Sequence, residues 1–146
     1  MSALFAATYP NRTSALIMYG AFPIFSYWVP TPEALDQLLT MIGQAWGTGV
    51  TLPLFAPNLT EDEPFKHWWA RFERLGASPG AVSALMRMNS EINISHVLPT
   101  IRVPTLILHR AEDTAVAVEG SRFMAERIPG AKYVELSGRD HVPMLG

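Results

Sequence analysis

The chain has 146 residues, 49% of them hydrophobic and 16% charged, which is enough apolar material for the core of one domain and too much for a disordered segment. A formal net charge of −2 excludes the basic surface that tracks nucleic-acid phosphates. With no cysteine, disulfides, thiolate metal sites and a cysteine nucleophile are excluded together.

The first ten residues, Met1 to Pro10, are apolar but too short to span a membrane and lack a basic n-region. With the absent cysteines, this gives the expectation of a cytoplasmic protein without membrane contact. Residues 2–9 are small and apolar up to Pro10, the pattern of the end of a well-buried helix. Thr13 to Phe22 is a continuous apolar run with a glycine near its end, which predicts a strand buried on both faces of a parallel sheet.

Residues 31–98 read as helices. Thr31-Pro32-Glu33 has the form of an N-cap with proline at N1, and Leu35, Leu38, Leu39, Ile42 and Trp46 follow at helical spacing until Gly47 and Gly49. Thr51 to Leu59 is a proline-containing connector. Thr60-Glu61-Asp62-Glu63 places acidic groups at the start of a second helix, where its dipole favours them. Phe65, Trp68, Trp69, Phe72 and Leu75 form its stripe, closed by Gly76. Trp68 and Trp69 cannot share one face, so one packs inward and the other outward. Ser78-Pro79 opens a third helix, with Val82, Leu85, Met86 and Met88 as candidate buried positions.

From Ile101 strands return: Val103 to His109, then a helix from Val118 to Ile128 stopped by Pro129-Gly130, then Lys132 to Leu136. Strand, helical insertion, strand, helix, strand predicts an α/β fold of three parallel strands with crossover helices. The helical block would lie over the carboxyl edge of the sheet, where open α/β folds bind ligands.

The chemistry stands at that edge. One strand runs into an acidic turn at Asp113, and the next runs into a turn carrying His141, 28 positions later. Acid followed by histidine at strand ends is the later part of a Ser-Asp-His layout in nucleophile, acid, histidine order. No Gly-x-Ser-x-Gly occurs in the chain. Glu112 and Asp140 are rival carboxylates, and Asp113 could also be an ordinary acid in an Asx-turn. His109 ends a strand, His67 lies on a helix and His96 in a connector. None shows a partner at i+3 or i+4, so no metal site and no cofactor is expected.

Three segments resemble the C-terminal portion of an α/β-hydrolase. Phe5 to Arg12, with its Ala-x-x-x-Pro-x-Arg exit, is similar to the helix after the nucleophile elbow. Ile101 to His109 is similar to the strand before the catalytic acid, and Ile128 to Leu136 to the strand before the catalytic histidine. The resemblance implies a partial α/β-hydrolase fold, with residues 1–30 and 99–146 in its core and 31–98 as a helical cap. It implies Asp113 and His141 as catalytic residues and an ester, acyl or small apolar substrate. The nucleophile and the rest of the core would lie upstream of Met1, leaving this chain inactive alone, and Ser2 would fall past the elbow. Where the family usually has glycine after the strand histidine this chain has Arg110, and where it has proline after the acid turn it has Ala117. Ala45 to Gly49 and Trp68 to Arg74 resemble a bacterial subgroup often joined to a nucleotide cyclase or DNA-binding regulator, which would then be a fused partner. A non-catalytic ligand-sensing module is the alternative.

Overall fold

A computed structural model describes residues 1–143, so the last three positions of the 99–146 segment lie outside the described residues. Helix α1 spans Ser2–Thr8 and strand β1 Leu16–Tyr19. Four helices follow: α2 Pro32–Ala45, α3 Leu52–Phe55, α4 Glu63–Gly76 and α5 Pro79–Ser90. Strand β2 Thr105–Arg110, helix α6 Val118–Arg127 and strand β3 Lys132–Leu136 complete the order. The strands form one parallel sheet in the order β1-β2-β3, with Ile17 opposite Leu106 and Ile107 opposite Tyr133.

Three polar caps start the long helices, Thr31 as its sequence predicts and Asp62 and Ser78 at helix starts whose capping side chain the sequence did not single out. Thr31, Asp62 and Ser78 each accept a hydrogen bond from the backbone N–H three residues on, at 3.1, 2.8 and 3.2 Å. Each is followed within two positions by proline, whose missing N–H is not needed in a first turn. The expected connector from Thr51 to Leu59 is instead largely helical. It contains α3 and a single 3-10 turn, Pro57–Leu59, so the block has four helices rather than three. Its prolines punctuate helix starts instead of preventing them.

The core lies on one face of the sheet. Ala3 and Ala6 of α1, Leu16 and Met18 of β1, Ile107 of β2 and Met124 of α6 are buried together, with Leu98 and Ile101 from the approach to β2. The opposite face departs from expectation. The run from Thr13 to Phe22 is a strand only over Leu16–Tyr19, and Ile17 is 67% exposed. By register, Ile17 lies beside Leu106, and Leu108 beside Val134, which is also exposed. A parallel sheet needs cover on both sides, and nothing among the described residues covers Ile17. Likewise α1 is buried through its alanines alone, while Leu4 and Phe5 are exposed.

The helices between β1 and β2 form two apolar clusters rather than one. Leu39, Ile42 and Met86 join α2 to α5, whereas Leu52, Ala56 and Trp69 join α3 to α4. Trp69 is buried and Trp68 exposed, as their adjacency requires; Leu85 and Met88, expected to be buried, are exposed. Between the clusters Glu73 of α4 is buried. Its Oε2 accepts the N–H groups of Gly47 and Gly49 at 2.9 and 2.8 Å, and its Oε1 accepts the Thr51 N–H and hydroxyl at 3.0 and 2.7 Å. Trp69 Nε1 donates to the same hydroxyl at 2.9 Å. One carboxylate thus satisfies the turn between α2 and α3. Among the described residues no helix is long and apolar enough to cross a membrane.

Candidate active site

Strand β2 delivers Asp113 in a tight turn just beyond its last residue. Asp113 Oδ1 accepts the N–H groups of Ala115 and Val116 at 2.8 and 3.0 Å, an Asx-turn that fixes the carboxylate plane. Oδ2 is left to accept from His141 Nδ1 at 2.8 Å. The Asx-turn and the histidine contact therefore coexist, one on each oxygen.

The loop carrying His141 is zipped onto the acid loop. Ala111 N–H donates to Leu136 O, Glu112 N–H to Gly138 O and Thr114 N–H to Arg139 O, at 2.8, 3.2 and 3.3 Å. Gly20, at the end of β1, closes the site from a third side. It adopts φ +53°, and a Cβ there would fall 2.5 Å from His141 Cε1.

The α3 region holds both loops from the helical side. His141 N–H donates to Phe55 O at 2.8 Å, and Thr114 Oγ1 donates to Leu54 O at 2.9 Å. Asp140 accepts the Asn58 backbone N–H at 3.0 Å and its side-chain amide at 2.9 Å. Asp140, a rival carboxylate by sequence, is therefore turned away from the histidine. Glu112 is exposed.

His109 corrects an expectation. Read as having no partner four residues away, it has Asp113 there: His109 Nε2 lies 3.4 Å from Asp113 Oδ2 and donates to Val116 O at 3.0 Å. Its Nδ1 lies 2.6 Å from Ser121 Oγ, which is also 3.1 Å from Ala21 O. The imidazole is fully buried and braces β2 against α6. His67 Nδ1 meets the carbonyl of Glu63, its own helix, at 2.8 Å, and His96 is exposed.

Burial alone would raise the Asp113 pKa. Hydrogen bonds from His109, His141 and the Val116 N–H outweigh it and hold the carboxyl well below the usual carboxylate range. An ionised Asp113 makes Nδ1 the protonated nitrogen of His141, leaving Nε2 as a proton acceptor. The two unusual positions have local partners: Arg110 Nε donates to the Tyr19 hydroxyl at 3.0 Å, and Ala117 N–H donates to Tyr27 O at 2.8 Å.

An apolar cavity of about 400 Å³ opens beside the histidine, between the two helical clusters. Val142 and Phe55 line it near His141, whose ring lies 5.5 Å from that of Phe55; Ile42, Trp69 and Met86 line its flanks. Glu73 and Thr51 also face it, with their polar atoms already bonded to each other and to the α2–α3 turn. Among the described residues no group of three or more His, Asp or Glu side chains is arranged to hold a metal ion.

No protein-family model matches the chain. A deep-sea metagenome α/β hydrolase, MGS-M2, superposes with a TM-score of 0.78 at 19% identity, over 95% of this chain and 53% of its own. The fold is part of an α/β-hydrolase fold. The enol-lactonase from Burkholderia xenovorans LB400 superposes with a TM-score of 0.70 at 21% identity, over 96% of this chain and 54% of its own. In sequence, the Karrikin insensitive 2 receptor CA of Petunia hybrida is 26% identical over 142 residues, 93% of this chain and 48% of the receptor. The chain thus spans about half the length of the proteins it matches. Asp113 and His141, the two residues singled out by sequence, are brought together. Gly20 and His109 were missed, although a glycine closing a strand and a histidine four before the acid were both visible.

Proposed function

We propose that this chain supplies the acid, the histidine and the cap of a serine hydrolase acting on an ester, or another acyl or small apolar substrate. The observation that carries this reading is the 2.8 Å hydrogen bond from His141 Nδ1 to Asp113 Oδ2, at the carboxyl edge of a parallel sheet and beside an apolar cavity. In such a site His141 Nε2 takes the serine hydroxyl proton as the serine attacks the acyl carbon, then returns it to the leaving group. Asp113 holds the imidazole in the required tautomer and stabilises its positive charge. Residues 1–30 and 99–146 act as core and 31–98 as cap. The nucleophile elbow and oxyanion groups come from polypeptide upstream, in a cytoplasmic protein whose further partner is a fused cyclase or regulator domain.

The test is to join the coding region upstream of Met1, where a Gly-x-Ser-x-Gly is expected, to this chain and assay an aryl ester. The joined protein turns over, and His141→Ala lowers the rate by about 10⁴-fold or more. The 146-residue chain alone does not turn over. Turnover by that chain, abolished by His141→Ala, would overturn the placement of the nucleophile elsewhere.

The receptor found among the relatives favours a second reading, a ligand-sensing module without catalysis. A glycine or alanine at the upstream elbow, with thermal stabilisation by a ligand that is never consumed, would support it over the enzyme.

A further inference from the structure

The cavity has two ends of different character. Near the histidine it is bounded by Phe55 and Val142, both tied to the catalytic loops. Away from it the lining includes Phe72, Gly76 and Leu85, and these reach solvent: Phe72 is 53% and Leu85 46% exposed. Trp69 to Gly76 spans eight residues of α4, a rise of roughly 10 Å along the helix axis, so the lining runs along α4 from a buried tryptophan out to exposed positions. It exists because the α2–α5 pair and the α3–α4 pair each close their own apolar cluster and leave the space between them unfilled.

The walls also say what does not belong there. Glu73, the carboxylate beside the cavity, has both oxygens engaged by four hydrogen bonds from the protein, leaving no ready acceptor for a hydroxylated ligand. Beyond the mouth the apolar surface continues. Trp68 stacks on Phe72 at 5.6 Å, and Leu75 and Met88 are exposed on the same two helices. An apolar cavity whose lining continues onto exposed apolar side chains suits an apolar tail longer than the cavity itself.

Resting on the hydrolase reading, we propose that the site takes a long apolar acyl group. Its carboxyl end lies at His141, and its tail leaves between Phe72 and Leu85 onto the Trp68–Phe72 ridge. Leu85 is then a specificity-determining residue, since only tails long enough to reach the mouth touch it.

Binding of n-hexanol, n-decanol and n-tetradecanol to the 146-residue chain, followed by tryptophan fluorescence, tests this without any need for hydrolysis. Affinity rises through the whole series, approaching about fourfold per methylene while each added group is buried. Leu85→Asp, at an exposed position that the fold does not need, weakens tetradecanol at least tenfold and leaves hexanol unchanged. A plateau by decanol, an equal effect of Leu85→Asp on all three alcohols, or no binding at all would overturn the proposal. An inactive joined hydrolase with an intact alcohol series would instead count against the catalytic reading alone.

Discussion

Gly20 and His141 are in contact so close that no side chain fits between them: a Cβ on Gly20 would stand 2.5 Å from His141 Cε1 and 3.0 Å from Nδ1. The glycine also sits at φ +53°, which costs other residues about 1–3 kcal/mol. Gly20→Ala therefore displaces the imidazole from Asp113 as well as straining the backbone. The expected outcome is a loss of about that size in urea unfolding, together with disappearance of the low-field Nδ1–H proton resonance of His141. An unchanged resonance would show that the ring has room to stay.

Asp113 sets an acid limb on stability. Its folded-state pKa lies below the value of about 3.9 expected for an unfolded aspartate. Between the two values the unfolded chain binds the extra proton, so stability rises with pH there and is lost as pH falls below about 4. Asp113→Asn removes that titration. Between about pH 4 and pH 2, its unfolding free energy declines less steeply than that of the parent, a difference measured by chemical denaturation at stepped pH.

Glu73→Ala leaves three backbone N–H groups and the Thr51 hydroxyl without their acceptor in a buried turn. A loss of about 3–5 kcal/mol is expected, as when one partner of a buried charged network is removed. Denaturation of Glu73→Ala and Glu73→Gln side by side checks it; Gln keeps one acceptor oxygen and loses less.

Asp140 and Asn58 form a two-point clamp between the histidine loop and the turn after α3. A double-mutant cycle of Asp140→Ala with Asn58→Ala is expected to give a coupling of about 1–2 kcal/mol. The single variants also shift the His141 proton resonance, because Asp140 is its chain neighbour. Additive effects would mean the clamp is energetically idle.

How much of this was visible in the sequence differs residue by residue. Thr31 announces its helix because a cap is a local interaction between positions three apart, and Asp62 and Ser78 cap theirs in the same way. Lys132–Leu136 is a strand over the span read from its sequence. Asp113 and His141 were legible because strand ends have recognisable surroundings. Asp140 was not resolved from them, since its partner Asn58 is 82 positions away. Glu73 hid in a helix rich in charge, where a buried carboxylate looks like a solvated one. Ile17 misled for another reason: an apolar run reports that a face wants cover, not that the same chain provides it.

The bare side of the sheet has a cellular consequence. Ile17, Val134 and Leu136 leave exposed apolar side chains on one face of the sheet, whose β1 edge has no partner among the described residues, the type of surface that folding helpers hold and proteases inspect. How long these residues survive in a cell is then set less by the depth of their core than by how soon something shields that face. Abundance, followed over time after a translation block, becomes a measure of whether the face has found its shield.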